Sequence, residues 1–107
     1  GCFMMYAQEL ATAVQFNAPL IVLLVNNNML GTIRMHQERE YPGRVCATDL
    51  HNPDFVALAK AYGAHAELVE TTDAFPEAFA RALAAGKPAL IELRTDPRQI
   101  TPTTRLA

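Results

Sequence analysis

The run Leu20-Ile-Val-Leu-Leu-Val25 constrains this chain most. Six aliphatic residues follow one another, and Ile21, Val22 and Val25 are β-branched. No polar residue alternates with them, so the run offers no solvent face. It is also far too short to cross a bilayer. Such a segment reads as a strand covered on both faces, the habit of parallel sheets packed between helix layers. Asn17 and Pro19 stand before it, and three asparagines, Asn26-Asn27-Asn28, stand at its end.

The flanking patterns agree with that architecture. From Met4 to Phe16, Ala7, Leu10, Ala11 and Val14 recur at three- and four-residue steps, opposite Gln8, Glu9, Thr12 and Gln15. This spacing predicts an amphipathic helix. A second helix is expected from Met29 to Glu40, closed by the turn Tyr41-Pro42-Gly43, and Thr48 to Asn52 reads as a polar connector. Asn52-Pro53-Asp54 supplies an N-cap, a first-turn proline and an acidic residue for a third helix. Its apolar stripe is Phe55, Val56, Leu58, Ala59 and Tyr62, and Gly63 is placed for a left-handed C-terminal cap. Ala64 to Val69 is a weaker strand. A helix from Thr72 or Asp73 to a Gly86 cap is expected to pack through Phe75, Phe79 and Leu83. Pro88 to Arg94 reads as a further strand, and residues 96–107 as an irregular tail. Alternating strands and helices predict a three-layer α/β/α domain with a mostly parallel sheet. A doubly wound unit normally starts with a strand and this chain starts with a helix, so the sheet is expected to be truncated at its N-terminal edge.

At 107 residues the chain holds one domain, not a core plus a separate substrate domain. A net charge of −2 gives no basic footprint, and there is no tryptophan and no stacked array of aromatics, so nucleic acid and anionic membrane surfaces are not expected partners. Cys2 and Cys46 form neither a CxxC pair nor a zinc-spaced cluster and read as reduced thiols of a cytoplasmic protein.

Open α/β sheets bind ligands beyond the carboxyl ends of their strands, where loops meet helix N-termini. Two such places are visible. At Gly1-Cys2, free backbone N–H groups lead into a helix and favour a phosphate, with glycine allowing close approach. At Asn26-Asn27-Asn28, amide oxygens are neutral, hard ligands suited to a magnesium ion that also holds phosphate oxygens. Together the two tips suit a magnesium diphosphate. The same asparagines also suit a turn with left-handed backbone.

Gly1 through Gly31 resembles the second part of the GDG-to-Asn-Asn cofactor motif of thiamine diphosphate-dependent enzymes, with 24 residues (2 to 25) between Gly1 and Asn26. FMMYAQELATAV, NNNMLG, NPDFVALAKAYGA and KPALIELRTDP are similar to the acetolactate synthase-like branch, so the resemblance covers nearly the whole chain. It implies a partial C-terminal thiamine diphosphate-binding domain over residues 1–107, beginning inside the motif. It further implies that Asn27, through its side-chain oxygen, and Met29, through its carbonyl, ligate Mg²⁺. Gly1 and Cys2 would give backbone N–H groups to the diphosphate, and Gly31 would permit close approach. The family's aspartate ligand would stand just before Gly1 and is not in this chain. Its catalytic glutamate comes from a pyrimidine-binding domain, on the rest of the chain or a second subunit, so no catalytic residue is assigned here.

The implied activity is decarboxylation of a 2-oxo acid, with protonation of the product or its ligation to a second carbonyl, as a lyase or transferase. A homodimer or homotetramer is expected, FAD is compatible with the complete protein, and the segment alone is expected to be inactive. The alternative is a non-catalytic binding or assembly module that kept the fold. A different nucleotide-binding protein would need a GxGxxG or Walker-type loop, and neither is present. Glu9 reads as surface or inter-subunit, Arg34 and His36 as a solvated helix face, His51 and His65 as structural or exposed, and Met4 and Met5 as core.

Overall fold

The computed structural model describes residues 1–106, which leaves Ala107, the last residue of the expected tail, outside the described residues. Three parallel strands make the sheet: β1 (Ile21–Asn26), β2 (His65–Val69) and β3 (Ala89–Arg94), in the order β1-β3-β2. The register sets Leu24 beside Glu92 and Asn26 beside Arg94, so the strand ends that carry polar residues lie together. Helices α1 (Cys2–Tyr6), α2 (Glu9–Gln15), α3 (Gly31–Glu40), α4 (Phe55–Ala61) and α5 (Phe75–Ala84) complete the main body, with a 3₁₀ turn, Thr72–Ala74, leading into α5. The expected α/β architecture with helices on both sheet faces is present.

One face packs Leu24 and Leu90 against Leu10, Phe55 and Ala59, joining β1 and β3 to α2 and α4. Phe3 meets Phe55 edge to face, with ring centroids 5.7 Å apart, and so anchors α1 to the same cluster. The other face packs Ile91 and Val69 against Ala78 and Ala82 of α5, with Phe75 and Phe79 stacked beside them. Leu90 and Ile91 are both fully buried, on opposite faces.

Several expectations need correction. The strand covered on both faces is β3, not the all-aliphatic β1. The latter lies at the end of the sheet, and its Leu23 and Val25 are 47% and 64% exposed. The first helix is two pieces, because Leu10 and Ala11 bond back three residues to Ala7 and Gln8 and tighten the turn between them. Met4 and Met5 are exposed rather than in the core, while Met29 is buried. In α5 the small Ala78 and Ala82 face the sheet and Leu83 is exposed. The cap of α4 is Asp54, whose Oδ1 accepts from the N–H of Ala57 at 3.0 Å; Asn52 turns elsewhere. The second helix begins at Gly31, after the loop, rather than at Met29.

The tail is not wholly irregular. β4 (Gln99–Thr101) and β5 (Thr104–Arg105) pair as a short antiparallel hairpin. Asp96 braces it: the N–H of Arg98, then the Arg98 and Arg105 guanidiniums, hold its carboxyl down at about 2. No described helix is long and apolar enough to cross a membrane.

Candidate functional site: the asparagine loop beyond strand β1

β1 ends at Asn26, and the chain turns through 27–30 before α3. Asparagine suits this place because its side chain can imitate a backbone turn. Asn26 Oδ1 accepts from the N–H of Asn28 at 2.9 Å, and Asn27 Oδ1 accepts from the N–H of Met29 at 3.2 Å. Two overlapping Asx turns result, with Asn28 in the left-handed region at φ 58°.

The connector at residues 48–50 fixes the outer side of the loop. Leu30 N–H donates to the Thr48 carbonyl at 2.8 Å, and Leu50 N–H donates to the Asn28 carbonyl at 2.9 Å. Met29 therefore sits opposite Asp49 in an antiparallel bridge whose hydrogen bonds are made by its neighbours. In such a pairing the central residue turns both its own N–H and its carbonyl away from the partner strand. The Met29 N–H meets Asn27 Oδ1, so the Met29 carbonyl and the Asn27 amide occupy the same side of the loop.

The inner side is fixed by buried polar groups. Asn26 is 5% exposed and Glu92 3% exposed. Asn26 Nδ2 donates to Glu92 Oε2 at 3.0 Å, and Arg94 Nε donates to the same oxygen at 2.7 Å. Asn52 Nδ2 donates to Asn26 Oδ1 at 2.9 Å. Glu92 is the main cause that raises the Arg94 guanidinium above its ordinary pKa.

A cavity of about 320 Å³ opens beside this loop, lined by Gly1, Cys2, Asn26, Asn27, Met29 and Asn52 and walled by apolar β1 residues. The structure thus brings Gly1 and Cys2 to the same cavity as Asn27 and Met29. Gly31 lies directly behind, where an added Cβ would stand 2.8 Å from Asn27 Nδ2. At the start of α1 the N–H groups of Cys2 and Phe3 have no intrahelical acceptor.

The donor set fits one kind of cation. The Met29 N–H uses one of the two lone pairs on Asn27 Oδ1, which leaves the other for a ligand. An amide oxygen and a backbone carbonyl suit a hard divalent ion that takes its remaining ligands from phosphate oxygens and water. Among the described residues no group of three or more His, Cys, Asp or Glu side chains converges to hold a metal. Glu92, the buried carboxylate of this region, is already bonded to Asn26 and Arg94.

The remaining candidates are placed elsewhere. Glu9, His36 and His51 are exposed, and Arg34 lies against Met29 Sδ and Glu38. His65 has a partner that spacing along a strand allows, since its Nε2 lies 2.8 Å from Glu67 Oε2 two residues on. Sequence reasoning missed Glu92 and Asn52. The one visible signal for Glu92 is a charge in mid-strand between the apolar Ile91 and Leu93.

This is a parallel α/β domain with a cavity at the strand ends. Residues 1–93 match the family model described as thiamine pyrophosphate enzyme, C-terminal TPP binding domain, and the chain belongs to that family. It is similar to the probable acetolactate synthase large subunit of Methanococcus aeolicus, at 34% identity over 91% of this chain and 16% of that protein. It is 32% identical to the corresponding probable subunit of Methanocaldococcus jannaschii, over 95% of this chain and 17% of that protein. The acetolactate synthase isozyme 2 large subunit of Escherichia coli is 35% identical over 90% of this chain and 18% of its own length. The chain thus spans roughly a sixth of the relatives it matches.

Proposed function

We propose that this chain anchors magnesium and the diphosphate of thiamine diphosphate in an acetolactate synthase-like enzyme. The observation that supports it most is the single cavity shared by Gly1, Cys2, Asn27 and Met29. Asn27, through Oδ1, and Met29, through its carbonyl, would hold Mg²⁺. The backbone N–H groups of Gly1 and Cys2 would receive the diphosphate, and Gly31 leaves the Asn27 amide room behind the loop. When bound, the cofactor supplies the nucleophile and electron sink for decarboxylating a 2-oxo acid and joining the product to a second carbonyl. This chain's own contribution is binding and orientation. Its asparagine loop presents oxygens, its first helix presents N–H groups, and β1 gives the cavity an apolar wall. Proton transfer belongs to groups outside this domain.

The whole protein is read as a cytoplasmic homo-oligomer in which the rest of the chain or a second subunit supplies the pyrimidine-binding half. The test is calorimetry of thiamine diphosphate with Mg²⁺ on the whole protein containing this chain, compared with Asn27→Ala. Binding is expected to weaken in the variant. Equal affinity in the two proteins would remove the metal assignment.

A further inference from the structure

Glu92 holds neither the proposed ion nor the diphosphate, yet it is a carboxylate with 3% exposure two residues before the end of the central strand. A buried charge is costly unless it is paired and hydrogen-bonded, so its partners define its use. Among the described residues they are two, and both reach the same oxygen: Arg94 Nε at 2.7 Å and Asn26 Nδ2 at 3.0 Å. The second bond fixes which way the Asn26 amide faces. With Nδ2 held by Glu92, Oδ1 must point into the loop, where it takes the N–H of Asn28 and the Nδ2 of Asn52. An amide turned the other way would set an N–H donor against both of those donors.

We infer that Glu92 is a positioning residue for the cation site, acting through Asn26. The asparagine loop is held on its outer side by backbone bonds from Thr48 and Leu50, and on its inner side by this one oriented amide. Asn27 follows Asn26 directly and Met29 stands three residues on, so the loop that carries their two oxygens starts from the first Asx turn. Outer groups of this kind commonly set the affinity of ligands they never share with the ion. The inference rests on the proposed cation site and adds a residue to it.

Geometry also says what the position needs. Both donors use Oε2, so an uncharged carbonyl oxygen at the same reach would serve them both. Glu92→Gln keeps that reach and loses the charge. Glu92→Asp keeps the charge and withdraws the oxygen by one methylene. Positioning therefore predicts that Gln is the mild substitution and Asp the harmful one.

The experiment uses the whole protein, with Mn²⁺ standing in for Mg²⁺ and its binding followed by electron paramagnetic resonance in the presence of thiamine diphosphate. Asn27→Ala serves as the reference, and thermal melts without cofactor are run in parallel. Mn²⁺ affinity is expected to fall roughly 10–100-fold in Glu92→Asp while Glu92→Gln stays close to the parent. The cofactor-free melts of the two variants should be similar, so that a loss confined to the metal reports on the loop and not on the fold. Loss in Gln with retention in Asp would replace positioning by a charge effect, and parent-like affinity in both would also overturn the inference. In either case a loss in Asn27→Ala would leave the cation site standing. Parent-like affinity in Asn27→Ala would instead remove the site on which the inference depends.

Discussion

Gly31 and Asn27 are packed so closely that a methyl group on the glycine would stand 2.8 Å from the asparagine's Nδ2. A real Cβ does not tolerate that distance, and the softer of the two is the Asn27 amide. Gly31→Ala should therefore rotate Asn27 away from its Asx turn with Met29. The first turn of α3 would gain the helix preference of alanine, about 1 kcal/mol, which offsets part of the strain. The expected outcome is a loss of metal-dependent cofactor affinity of at least about tenfold, with a small change in melting temperature. Calorimetric titration and a thermal melt on the same sample check both halves.

Leu90 and Ile91 stand back to back in β3, each fully buried, one in the cluster with α2 and α4 and the other in the cluster with α5. Truncating either to alanine should cost about 2–5 kcal/mol. Because they face separate cores, the two losses should nearly add, which urea unfolding of the single and double variants would show.

The sequence made the layers legible, but not the order of the strands. Leu20 to Val25 has the stronger apolar signal and reads as doubly covered, whereas Pro88 to Arg94 carries a glutamate and an arginine. Strand order depends on distant pairing, here Leu24 with Glu92, which composition does not report. The asparagine tip was legible because a run of turn-forming amides after a strand is local chemistry. Its supports were not. Glu92 reaches Asn26 across 66 residues, Asn52 reaches Asn26 across 26, and no periodicity links such positions. Capping shows the same limit at short range. Asn52 and Asp54 are both good N-caps, and the buried amide network takes Asn52 for itself.

Gly63 closes α4 at φ 95°, with its own N–H bonded to Lys60 and that of Ala64 bonded to Ala59. This is a Schellman arrangement, which needs a left-handed residue at that point. A Cβ there would also come 3.2 Å from Val14 Cγ1 on α2. Gly63→Ala should cost about 1–3 kcal/mol from backbone strain and contact together. Adding Val14→Ala removes the contact but not the strain, so only part of the loss should return, as chemical denaturation of the pair would reveal.

Glu67 joins β2 to α5 by taking two short bonds from Arg81, at 2.7 and 2.9 Å, and it also meets His65. The Arg81 hydrogen bonds are the main cause that lowers its carboxyl below the ordinary 4.5. A carboxyl with a depressed folded-state pKa stabilises the fold above its unfolded value and loses that contribution as pH falls through the lowered value. Arg81 is half exposed, so water and salt screen the pair and its contribution is small. Glu67→Gln should therefore melt slightly below the parent protein at pH 7. The gap should close as the pH is taken below 4.5 and through the lowered folded value, and it should shrink in high salt at neutral pH. Melting curves at a series of pH values decide the matter, and a gap that persists undiminished in acid would show that Glu67 acts through packing and not through its charge.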